Sequence, residues 1–183
     1  MDTRERLIES TRELLWERGY VGMSPKAIQD RSGAGQGSMY HHFRGKPDLA
    51  LVAIKRNVAD LVDRADAELA GPGTVGERIT RYMTRERAAL RGCPVGRLTM
   101  DPDVMADPDL RRPVAEAFAA VRDHLAAVLE EGRASELDID PAATAAALIA
   151  VLQGGYVLAR ASGSADAYTQ AVDGALSLLK RHI

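Results

Sequence analysis

The chain has 183 residues and a mass of 19.7 kDa, which accommodates one domain or two small fused ones and nothing larger. Hydrophobic residues at 46% and charged residues at 27% exclude wholesale disorder and collagen-like or mucin-like chains, and an aromatic share of 4% leaves a core of Leu, Val, Ile and abundant Ala, which favours helices over sandwiches or barrels. Net charge is −2 but uneven: residues 1–56 hold ten Lys and Arg against seven Asp and Glu, residues 57–183 fourteen against nineteen, so the basic end suits a polyanion.

Helical periodicity begins with Asp2 or Thr3 as N-cap and places Leu7, Ile8, Thr11, Leu14 and Leu15 on one face, with Gly19 as the stop. Trp16 lies off that stripe and reads as packing at a domain edge. Ser24-Pro25 is a cap followed by a proline at the first helical position, opening a short helix to about Arg31 that buries Ala27 and Ile28. Gly33-Ala34-Gly35 is a tight turn, and a second short helix spans Gln36 to about His42. From Lys46 to about Leu69 the apolar spacing predicts a helix roughly 35 Å long, enough to join two domains.

Residues 70–76 are a Gly- and Pro-rich loop, followed by a predicted helix from about Val75 to Arg91. Residues 98–109 carry two Asp-Pro pairs suited to caps around one short helix. The stripe Val114, Phe118, Val121, Leu125, Val128 and Leu129 predicts a helix ending near Gly132. Asp140-Pro141 opens a helix apolar on every side. Its 18 residues from Ala142 to Ala159 reach the lower limit for a membrane span, but the alanines, Thr144, Gln153 and two glycines favour a helix buried all round, with no membrane partner. Tyr168, Val172, Ala175, Leu176 and Leu179 form the last stripe. The fold class is all-α, about nine helices, without strand or internal repeat.

The chemistry concentrates in Ser24–Leu49. Two short helices joined by a glycine turn form the helix-turn-helix plan, whose second helix enters a major groove. Gln36, Ser38, Tyr40, His41 and His42 offer donors, acceptors and rings without a carboxylate, as a phosphate-lined surface requires, and Arg44 and Lys46 add charge beyond. Gly37 leaves room for close approach. Gln36 suits an adenine edge, Ser38 and Tyr40 bases or sugar-phosphate, and Lys46 at a helix start a phosphate.

RERLIESTRELLWERGY, then S-x-x-x-I, then GAGQGSMYHHFRGKPDL resembles the N-terminal domain of tetracycline-repressor (TetR) type regulators over about residues 4–50. The resemblance implies an all-helical homodimer that binds operator DNA, a small-molecule effector bound by the C-terminal part, and no catalysis. It divides the chain into a DNA-binding domain, residues 1–46, and a ligand-binding and dimerisation domain, residues 47–183. It places base-proximal roles on Gln36, Gly37, Ser38 and Tyr40 and phosphate contacts on Ser24, His41, His42 and Lys46. Gly35 stands where the family usually has a Ser or Thr cap, and Ala27 where it usually has an acid. The segment GCPVGRL is similar to an element of the subset that answers to lincomycin or flavonoids, which implies an apolar or aromatic effector.

Tyr82, Met83, Met100, Met105, Phe118, Val121 and Tyr156 are the candidate effector-lining residues, thioethers and rings suiting an adaptable cavity. Ala145, Leu148, Ile149, Leu152, Tyr156, Tyr168, Val172 and Leu176 are candidates for a four-helix dimer contact between the last two helices of each copy. No metal or other cofactor is expected: His41 and His42 point about 100° apart with no second ligand one turn away. The acidic run from Asp101 fails the calcium-loop template at Ala106 and Arg112. Cys93, the lone cysteine, reads as a small buried hydrophobe, and the absence of a signal-type apolar start points to the cytoplasm. The rival reading is a sequestering protein for small apolar molecules without useful DNA affinity.

Overall fold

The structure, a computed structural model, describes residues 2–133 and 139–180. Among these are nine α-helices and no strand: α1 (Thr3–Arg18), α2 (Pro25–Ser32), α3 (Gln36–His42), α4 (Lys46–Leu69), α5 (Val75–Thr84), α6 (Pro102–Ala106), α7 (Pro108–Arg133), α8 (Pro141–Ser162) and α9 (Asp166–Leu179). A 3-10 turn covers Gly96–Met100.

Local chemistry sets the helix ends. Side chains of Asp2, Ser24, Thr74, Asp101 and Asp140 accept backbone N–H groups of the first turns they precede, and Thr74 with Glu77 completes a reciprocal capping box. Proline opens α2, α6 and α8. The helix predicted to reach Arg91 stops at Thr84, because Arg85 turns to φ −53°, ψ 148° and the Arg87 guanidinium donates to the carbonyls of Tyr82 and Met83, taking over acceptors a further turn would have used. Asp107 caps α7 through the N–H of Leu110 at 3.4 Å, so the two Asp-Pro pairs open two helices rather than one.

The chain divides into two compact units, and the boundary differs from the one expected at residue 46. One unit comprises the chain up to Leu61 with Pro94–Ala117; the other comprises Val62–Cys93 and the chain from Phe118. In the first, α1, α2 and α3 pack on one another around Leu7, Ile8, Leu15, Ile28 and Met39, all fully buried. Arg12 joins α1 to α4, its Nε donating to Asn57 Oδ1 at 2.7 Å while it pairs with Asp60; Arg56 returns the link to Glu5. Asp101, 7% exposed, accepts the Val21 N–H on Oδ2 (2.9 Å) and the Val104 N–H on Oδ1 (3.3 Å), which is why residues far along the chain belong to this unit.

In the second unit α8 packs along α9, and α5 also meets α9. Gly155 permits the closest approach, since a Cβ there would lie 2.9 Å from Tyr168 Cδ2. The expectation that α8 is buried all round is corrected: Ala145, Leu148, Leu152, Gly155 and Ala159 are buried, whereas Val157 and Leu158 are exposed. Its length and composition would also suit a membrane span.

Candidate nucleic-acid interface

Gly33, left-handed at φ 64°, ends α2 and turns the chain into α3. Met39 is the inward anchor of α3, fully buried and accepting a contact from Gln29 Nε2 at 3.9 Å on its sulfur. With Met39 inside, a 3.6-residue period turns Gly37, Tyr40 and His41 outward, and these are exposed, Tyr40 to 50%, as is Gln36 at the start of the helix. Ser38 is half-buried and His42 exposed, its ring 5.0 Å from that of His41 in a T-shaped pair. The helix carries no carboxylate, and around Gly37 a Cβ would meet open space. Gly35, as expected from its missing side chain, offers no cap; the Met39 N–H bonds to its carbonyl at 3.2 Å instead.

Ser24 is exposed, with its hydroxyl oxygen accepting the Ala27 N–H at 3.1 Å, so its structural role is the α2 cap. Ala27, expected to be buried, is only half-buried. Lys46 departs further from expectation. Its ammonium sits 3.9 Å from the centroid of the Tyr20 ring and is half-buried; burial lowers its pKa, opposed by Asp103 and Asp101. Arg44 is the cation that faces water, its side chain 92% exposed and 3.5 Å from Asp48. Tyr20 and Asp101, which hold Lys46 and the loop ahead of Ser24, were invisible as site residues; the Asp-Pro cap was the only signal of Asp101.

The effector candidates separate. Met100 is 84% exposed, too open to line an interior, and with Met105 belongs to the first unit, whereas Tyr82, Met83, Val121, Phe118 and Tyr156 belong to the second. The dimer candidates need the same correction. Ala145, Leu148, Leu152, Tyr168, Val172 and Leu176 are buried within one chain, where they hold α8 to α9; only Ile149 and Tyr156 are half-buried.

Residues 74–175 match the family described as the tetracyclin repressor-like C-terminal domain, and residues 7–53 match the bacterial regulatory proteins of the tetR family. The chain belongs to the TetR family. This TetR-family regulator is 28% identical to the transcriptional regulator LmrA of Bacillus subtilis over 166 residues, 86% of each chain. It is 27% identical to the transcriptional repressor NemR of Escherichia coli K12 over 139 residues, 72% of this chain and 69% of that one. The crystal structure of reduced Escherichia coli NemR is similar with a TM-score of 0.82 at 25% identity, covering 96% of this chain and 95% of that one. A TetR regulator from Chloroflexus aurantiacus shares the fold at a TM-score of 0.89 and 24% identity, covering 98% and 95%. The match over residues 7–53 takes in α2 and α3, so the chain is a DNA-binding helix-turn-helix transcriptional regulator.

Proposed function

We propose that the chain is a homodimeric, ligand-responsive repressor that acts in the cytoplasm and binds a palindromic operator through two copies of α3. The observation that carries this reading is the outward set Gln36, Gly37, Tyr40 and His41 on a helix anchored by buried Met39 and free of carboxylates. Gln36 is suited to an adenine edge, Tyr40 to bases or sugar, and Ser24, His42 and Arg44 to phosphates, with Lys46 joining them if it leaves the Tyr20 ring. Support for a dimer comes from the apolar outer face of α8 and α9, where Val157, Leu158 and Leu178 are exposed. Two-fold protein symmetry then requires a two-fold operator with half-sites about one helical turn apart. A small effector bound by the second unit and the operator weaken one another equally, typically by about 1–3 kcal/mol.

Selection from a random duplex pool tests this reading, with a palindromic consensus expected. Gly37→Ala adds a methyl group that meets nothing among the described residues, and helix propensity favours it by about 0.5–1 kcal/mol. It should therefore melt no lower than the parent yet bind the selected duplex more weakly in a gel shift. A pool that yields no consensus, or a Gly37→Ala variant with undiminished affinity, refutes the assignment of α3.

A further inference from the structure

The segment that ends α5 carries two guanidiniums around one ring. Arg85 Cζ lies 5.6 Å and Arg87 Cζ 5.3 Å from the centroid of Tyr82. Arg87 is satisfied: Nη1 donates to the carbonyls of Met83 (2.8 Å) and Arg85 (3.1 Å), and Nη2 to that of Tyr82 (2.6 Å), which suits a cation at a helix C-terminus. Arg85 is not. Its Nε is buried without an acceptor, and among the described residues no carboxylate pairs with it. The Tyr168 hydroxyl, on a side chain more than nine-tenths buried, also lacks a hydrogen-bond partner. The Tyr156 ring lies 4.9 Å from the Tyr168 ring, and the two hydroxyls interact without ordinary hydrogen-bond geometry. Both tyrosines are within electrostatic reach of Arg85 or Arg87. Burial, and then the neighbouring Arg87 charge, push the Arg85 pKa down.

A partly buried cation without a counter-charge and a buried hydroxyl whose one neighbour, the Tyr156 hydroxyl, is out of hydrogen-bond geometry are each unfavourable until something bonds to them. Two such groups in one cluster, one a fixed donor fork and one a phenol, complement a carboxylate, and the surrounding tyrosine rings complement a flat body. We infer that Arg85 and the Tyr168 hydroxyl recognise the anionic group of an aromatic effector such as an aryl carboxylate, with Tyr82 and Tyr156 flanking its ring. The inference rests on the ligand-responsive reading above and makes the effector an organic anion.

The test is calorimetric titration of the full chain with benzoate, its neutral isostere benzamide, and inorganic phosphate. Benzoate should bind roughly tenfold more tightly than the other two, the effect of one charge-assisted pair. Arg85→Gln should abolish that preference, Arg85→Lys retain part of it, and Tyr168→Phe, which removes a single oxygen, reduce it roughly threefold. Should Arg85→Gln fail to fold, as read from its thermal melt, Tyr168→Phe decides alone. Equal affinity for benzoate and benzamide, no benzoate binding at millimolar concentration, or an unchanged preference in both Arg85→Gln and Tyr168→Phe overturns the inference. Phosphate binding as tightly as benzoate marks an inorganic-anion site and overturns it too. So does an Arg85→Gln variant that weakens self-association in sedimentation while keeping the benzoate preference, which would assign Arg85 to a carboxylate of a second copy. Duplex binding is measured separately without benzoate: its absence alongside an intact benzoate preference defeats the repressor reading and leaves the anion site standing.

Discussion

Replacing Asp101 by Ala removes two backbone bonds at once. The Val104 N–H loses its helix cap, worth about 1 kcal/mol, and the Val21 N–H loses a charge-assisted bond of 2.9 Å. Val21 is itself 56% exposed, so water recovers part of the second bond and it contributes about 1–2 kcal/mol rather than the value for a buried group. The sum, about 2–3 kcal/mol, lowers the melting temperature of a chain this size by about 4–12 °C at fixed protein concentration. Asp101→Asn keeps one acceptor oxygen and should fall between the two. The loop held by Asp101 leads directly to Ser24 and α2, so the Ala variant should also bind a selected duplex more weakly at a temperature well below its melt. An Ala variant melting within a degree of the parent refutes the assignment of Asp101 as the tie between this loop and α6. An Asn variant as unstable as the Ala one would show that charge, and not the two hydrogen bonds, is what matters.

Gly155→Ala gains helix propensity but forces the buried Tyr168 ring away from a 2.9 Å contact, for a net loss of about 1–2 kcal/mol, whereas Gly154→Ala meets nothing among the described residues; urea midpoints of the pair give the difference directly. Glu77 lies below its ordinary pKa of 4.5, first because its carboxylate accepts the Thr74 backbone N–H and then the Thr74 hydroxyl. A depressed carboxylate stabilises the fold above the unfolded-state pKa and loses that contribution as pH falls through the folded-state value. The stability difference between parent and Glu77→Gln should thus be constant at neutral pH and shrink below about pH 4.5, as read from urea melts across the acid range. Leu158→Glu places a charge on the exposed face of α8 without disturbing the α8–α9 seam, so it should yield a folded monomer in sedimentation; a dimer of unchanged affinity puts the contact elsewhere.

The caps Asp2, Ser24, Thr74, Asp101 and Asp140 act within three residues of themselves, and the turn at Gly33 needs only its own left-handed backbone, so α2, α3 and the outward face of α3 were legible in the order of residues. Met39 falls inside and Tyr40 outside by helical period alone. The early end of α5 is local, set by Arg85 and Arg87, but the other failures share one cause, which is partners distant along the chain. Lys46 belongs to the Tyr20 ring and Asp101 to Val21, eighty residues away, and no local pattern names either. In α8 the apolar residues surround the axis, so periodicity could not choose a face; packing against α9 chose it, and residues assigned to a partner molecule became one chain's own interior. Arg85 likewise reads as one charge among many in R-E-R, and only the fold leaves it half-buried beside Tyr82 with no carboxylate paired to it among the described residues. Short-range hydrogen bonding and period therefore decide where helices begin, end and turn outward, while long-range burial decides which polar groups are left wanting a partner.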